Sequence, residues 1–137
     1  MSRDPMAGKY QKPFKHEYLM AQLILKDKGG ELSWSTKDYE AFTFTAEGVR
    51  ILFYPHTTNS TGNVQCRVRD HGSKNKNLAR KIMADLYVGS GHSVTFYCKG
   101  LGSNEAYELA GKEAWNNAGW AHRQAMQIRF PTKKEKA

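Results

Sequence analysis

Two arginines, Arg67 and Arg69, alternate with Cys66 and Val68 in a run that begins at Val64. Successive side chains of a strand point to opposite faces. If Val64, Cys66 and Val68 face a core, both arginines point away from it together. Like charges gathered on one face repel unless an acid or a phosphate lies between them. A neighbouring strand over Val49 to Tyr54 brings Arg50 and Tyr54 to the same face, where Tyr54, with Tyr97 from a later strand, could stack on bases. The arginine strand leads through His71 into Gly72-Ser73-Lys74-Asn75-Lys76-Asn77, followed by Arg80 and Lys81. Helix N-termini carry a partial positive charge, so first turns ordinarily hold Asp or Glu. Lysines there make sense if an anion occupies the site, with unpaired backbone N–H groups, Ser73, Lys74 and Lys76 converging on a phosphate. The candidate nucleic-acid-binding set is therefore Arg50, Tyr54, Arg67, Arg69, His71, Ser73, Lys74, Lys76, Arg80 and Lys81.

The histidines carry the enzymatic alternative. His16, His56, His71, His92 and His122 are scattered, with no pair at metal-ligand spacing. His56-Thr57-Thr58 resembles half of the His-x-Thr/Ser pair of two-histidine phosphoesterases, which place an acid and a base around one phosphate. The second candidate, His92-Ser93-Val94, lacks the hydroxyl two residues on. His71, beside Arg69 and Ser73, is the other candidate base of a small phosphodiesterase or nuclease. Glu17, Asp38, Glu40, Asp85, Glu108 and Glu113 form no acidic constellation suited to two metals. No catalytic residue, metal or cofactor is expected, and the chain reads as a binding module rather than an enzyme.

The elements that must position these residues follow from periodicity. Phe14, Tyr18, Ala21 and Leu25 recur at helical spacing over Lys15 to Lys28, where Gly29-Gly30 stops the helix. A short strand over Glu31 to Ser35 precedes three better ones: Phe42 to Thr45, Val49 to Tyr54 after the turn at Ala46-Glu47-Gly48, and Val64 to Arg69. Leu78, Ala79, Ile82, Met83 and Leu86 make the buried stripe of a second helix. His92 to Lys99 is a strand with Val94, Phe96 and Cys98 inward. Ser103 or Asn104 caps a third helix carrying Tyr107, Ala110, Ala114 and Ala118. Trp115 and Trp120 are expected to pack in the core or at a helix end. Met126, Ile128 and Phe130 suggest a last strand. The expected fold is α+β, a mostly antiparallel sheet with helices on one face, in the order α-β-β-β-β-α-β-α-β. Residues 1–12 read as a flexible tail, 13–131 as one domain and 132–137 as a basic tail.

The β-β-β-α order from Phe42 to Leu86, with a helix upstream, is similar to the double-stranded RNA-binding domain. Asn75-Lys76-Asn77-Leu78-Ala79-Arg80 with Met83-Ala84 resembles that family's Ser-Lys-Lys-x-Ala-Lys…Ala-Ala helix start, which grips phosphates across duplex grooves. Asn77 stands where the family has its second lysine, and Ala46 to Gly48 lacks its Gly-Pro-x-His element. The resemblance implies RNA ahead of DNA.

Totals frame these readings. The 137 residues are 39% hydrophobic and 25% charged, as for an ordinary globular domain, and the net charge of +8 favours a polyanionic partner. No apolar run approaches the ~20 residues of a membrane span. Cys66 and Cys98 each sit in an alternating apolar pattern, as buried free thiols do, with a cross-strand disulfide as the alternative. A cytoplasmic setting is expected, the host cytoplasm for a viral protein. Nucleic-acid binding through phosphate contacts is the leading expectation. The second is a small inhibitor or adaptor of phage or mobile-element type, docking on a nucleic-acid-processing protein.

Overall fold

The computed structural model describes residue 11 and residues 13–37, 39–57, 64–89 and 94–129. Four helices and five strands follow in the order α1 (Lys15–Ile24), β1 (Glu31–Trp34), β2 (Phe42–Ala46), β3 (Val49–Thr57), β4 (Val64–Asp70), α2 (Lys76–Gly89), β5 (Phe96–Cys98), α3 (Ser103–Ala110) and α4 (Lys112–Arg129). The expected tails, save Gln11, lie outside the described residues, as do Asp38, His92 and Phe130.

Alternation decides which side of the sheet becomes core. Phe42 and Phe44 of β2, Val49, Ile51 and Phe53 of β3, Cys66 and Val68 of β4, and Phe96 of β5 are all buried in one cluster with Met20, Ile82 and Leu86 of the helices. Removing such side chains from water contributes ~1.5–3 kcal/mol each. An aromatic chain runs across this face: Tyr18 stacks on Trp34 at 4.2 Å, Phe42 stacks on Phe53 at 4.3 Å, and Phe53 meets Phe96 edge-on at 5.7 Å. Helices α1 and α2 cover the face, and α3 and α4 pack mainly against those two helices. None of the helices among the described residues is long and apolar enough to cross a membrane.

The strands lie in sequence order, and β1 to β4 pair antiparallel. β5 joins β4 in parallel, so the sheet is mixed rather than mostly antiparallel. The cause is α2: the helix carries the chain back along the sheet before β5 begins, as a parallel pair requires. Gly48 at φ +75° closes the β2–β3 hairpin, a conformation that side chains with a Cβ rarely adopt. Strand β3 runs past Tyr54 to Thr57 despite Pro55. β2 has already ended opposite Phe53, and Pro55 turns its N–H-less edge to that vacated side.

Three expectations are corrected. Val64 is exposed, because it opens β4 beyond the reach of the helices, so only Cys66 and Val68 face the core. Leu78 is exposed on the first turn of α2, where Ala79, Ile82, Met83 and Leu86 carry the stripe. The segment holding Met126 and Ile128 is not a strand but the end of α4. Gly111, at φ +84°, breaks the third helix into α3 and α4, and Ala114, Ala118, Ala121 and Ala125 then form a buried stripe at helical spacing through that segment. Up to α3 the elements come in the expected order.

Candidate functional site

The strand-to-helix junction is occupied by the chain itself. Ser73 is buried, and its hydroxyl accepts from the Arg50 N–H at 2.8 Å and donates to the Arg50 carbonyl at 3.2 Å. Those two backbone groups point toward β4, which ends at Asp70; the His71 N–H still reaches the Arg50 carbonyl at 2.8 Å, and Ser73 supplies the acceptor that a longer strand would have given the Arg50 N–H. Asp70 takes the place expected for a phosphate. One carboxylate oxygen accepts the Ser73 N–H at 3.0 Å and the other accepts the Lys76 ammonium at 3.0 Å. Burial pushes the Asp70 pKa up, but the hydrogen bonds from Ser73 and Lys76 and the Lys76 charge outweigh it and leave the carboxyl below its ordinary value. Asn75 caps α2, its Oδ1 accepting the Leu78 N–H at 3.1 Å. The anion anticipated at this helix start is thus an internal aspartate, and Ser73 is withdrawn from the candidate ligands. Lys74 remains exposed, without an ion-pair partner among the described residues.

Arg80 and Lys81 are also engaged within the fold. Arg80 pairs with Glu105 at the first turn of α3. Lys81 bonds Asp85 at 2.9 Å and donates to the Ala110 carbonyl at 3.4 Å, while Lys28 meets the other Asp85 oxygen at 2.7 Å. These contacts tie α2 to α3 and to the end of α1.

The remaining candidates meet on the sheet face opposite the helices. Pairing register puts Tyr54, Arg67 and Tyr97 in one cross-strand row over β3, β4 and β5. The next row carries Leu52 and Arg69, and Arg50 lies beyond it on β3. The Arg69 guanidinium sits 5.7 Å from the Tyr54 ring centroid, and Arg67 Nε and Nη2 donate to Gln65 Oε1 at 3.3 and 3.2 Å. Leu52 is buried at the centre of this face, Tyr54, Arg67 and Arg69 around it are half-buried, and Arg50 and Tyr97 are exposed. Among the described residues no carboxylate is within ion-pair distance of Arg50, Arg67, Arg69 or Lys99. Neither Arg67 nor Arg69 is buried against a carboxylate such as Glu108 or Glu113. Because Asp70 alternates with Arg69, it is the aspartate that turns to the helix start, and the arginines form a separate basic surface.

His71 is half-buried at the end of β4, while exposed His56 pairs with Gln65 near the far end of the same ladder. Six residues of β3 separate the ladder positions, roughly 20 Å at strand rise, too far to serve as acid and base on one phosphate. No cluster of three or more His, Cys, Asp or Glu able to hold a metal exists among the described residues. Both cysteines are free thiols, Cys66 buried and Cys98 half-buried. Burial pushes Cys66 well up, with smaller contributions from Glu17 and Cys98, and pushes Cys98 up to about 12.

Three residues near the arginine face were not legible as site candidates from the sequence: Tyr87, Lys99 and Tyr107. Tyr107, read with Ala110, Ala114 and Ala118 as residues of one helix, is 52% exposed and meets Tyr87 edge-on at 6.1 Å. Its spacing from Ala110 and Ala114 is helical, but Ala106 takes the inward position. Trp115 is largely exposed, and Trp120 packs against the core with Lys26 over its ring at 4.1 Å. No protein-family model, curated protein or solved structure matches the chain.

Proposed function

We propose that the protein is a nucleic-acid-binding module whose contact surface is the sheet face bearing Arg50, Tyr54, Arg67, Arg69 and Tyr97, with Lys74 at the helix start as an outlying phosphate contact. The observation that carries this reading is the Tyr54–Arg67–Tyr97 row beside Arg69: cations without acidic partners, interleaved with aromatic rings. Guanidinium groups hold phosphates and tyrosine rings accept bases, and a surplus of +8 draws a polyanion from a distance. RNA stands ahead of DNA on the β-β-β-α order that leads into α2. Contacts of this type position a strand without reading its sequence.

The test is binding to RNA, single-stranded DNA and duplex DNA across a salt series. Affinity should fall steeply with salt, and Arg67→Ala and Arg69→Ala should each flatten the log–log slope by about one for every phosphate left unneutralised. Absence of binding to every nucleic acid at low salt would overturn the proposal and turn attention to a protein partner covered by the same basic face.

A further inference from the structure

β5 is the last strand of the sheet, and a cleft of about 530 Å³ lies across its edge. Residues from both faces of β5 line it, Tyr97 and Lys99 from the arginine side and Cys98 from the core side, so the cleft wraps the edge rather than resting on one face. Arg67 borders it on the sheet side, and Tyr87 of α2 and Tyr107 of α3 on the helix side. The volume lies within the ~300–1,000 Å³ of small-ligand sites. Three tyrosine rings and two cations line one opening, and among the described residues no acidic side chain does.

The backbone adds a donor and an acceptor. The Lys99 N–H bonds the Val68 carbonyl of β4 at 2.8 Å. Alternation along a parallel strand therefore turns the Cys98 N–H and C=O outward, away from β4. An edge of this kind, unpaired among the described residues, can also take a peptide strand. Here, however, the strand is only three residues long and offers too few outward groups for a ladder. A planar, hydrogen-bonding and negatively tethered group suits the lining better.

We infer that this cleft receives one unpaired nucleotide of a bound single strand: its base against Tyr97 and Tyr107, its edge read by the Cys98 backbone, and its phosphate between Arg67 and Lys99. This rests on the nucleic-acid reading above and sharpens it, because a base paired in a duplex cannot enter the cleft. Arg67 is shared by the sheet row and the cleft, and its Nη1 is uncommitted among the described residues, Gln65 holding Nε and Nη2.

Binding of the full chain to a single-stranded RNA homopolymer and to an RNA hairpin duplex with the same number of phosphates tests this. The wild type should prefer the single strand, by about tenfold for a stacked base. Tyr107→Ala, at an exposed position that tolerates truncation, should weaken single-strand binding about fivefold or more and leave duplex binding unchanged, while Tyr107→Phe retains it. Tyr97→Ala tests the opposite wall, and thermal melts verify that each variant is folded. Equal wild-type affinity for both forms, or no effect of Tyr107→Ala on the single strand, overturns the cleft assignment while leaving the parent reading in place. Failure to bind either form overturns both.

Discussion

Ser73 stands where one strand has run out and the next helix has not begun, and its hydroxyl serves both backbone groups of Arg50. Ser73→Ala would leave the Arg50 N–H unpaired, while the Arg50 carbonyl keeps the His71 N–H at 2.8 Å, and a cost of about 1–3 kcal/mol is expected in chemical denaturation. Nucleic-acid affinity of the folded fraction should not change, in contrast to Arg67→Ala. Asp70 has a matching role with a pH signature. Its pKa is lowered in the folded state, so the stability it contributes is present above the ordinary aspartate range. That contribution is lost as pH falls through the lowered value. Melting temperatures of the wild type and Asp70→Asn, measured from neutral pH downward, should therefore differ most near neutrality and converge in acid. A gap that persists in acid would show that the carboxylate's charge is not what stabilises the junction.

At the scale of elements, α2 connects most of the molecule. Its apolar stripe lies on the sheet, and its Asp85 holds Lys28 after α1 and Lys81 on its own preceding turn, which in turn reaches the C-terminal carbonyl of α3. Asp85 is buried while both lysines reach water. Asp85→Ala should destabilise by about 2–3 kcal/mol, less than a wholly buried pair because the stranded ammonium groups can hydrate. Calorimetric melts would measure this, and a shift indistinguishable from zero would mean that packing alone orders the three helices. α4 shows how a local pattern is overruled. Met126 and Ile128 alternate as a strand would, yet the alanine stripe from Ala114 to Ala125 runs at helical spacing and wins because α1 and α2 offer it a surface.

Over the whole molecule, charge and thiol chemistry report different things. The basic sheet face lies opposite the helical layers, so charge changes there should alter salt dependence and leave stability nearly unchanged. Cys66 and Cys98 face the helical side, with thiol pKa values raised by burial. Alkylation at neutral pH should therefore be slow in the native protein and should accelerate with denaturant along the unfolding transition. Rapid labelling of Cys98 without unfolding would indicate that the β5 edge opens locally, and would make the adjoining cleft a mobile one.

Alternation in β2, β3 and β4 was legible along the chain because a half-buried strand writes its two faces as a period of two; that set the inward Phe42, Phe44, Ile51, Phe53, Cys66 and Val68 and the outward Arg50, Tyr54, Arg67 and Arg69. The α+β class and the inward Ala79, Ile82, Met83 and Leu86 of α2 were legible likewise, since their signals lie within a few consecutive residues. Partnership was not. That Asp70 would claim Lys76, Glu105 would claim Arg80 and Asp85 would claim Lys81 depends on where loops and helices end in space, and a charge looks the same in sequence whether paired or free. The parallel placement of β5 likewise depends on how α2 crosses the sheet. Only that placement brings Tyr97 beside Arg67 and opens the cleft toward Tyr107, forty residues further along the chain than Arg67.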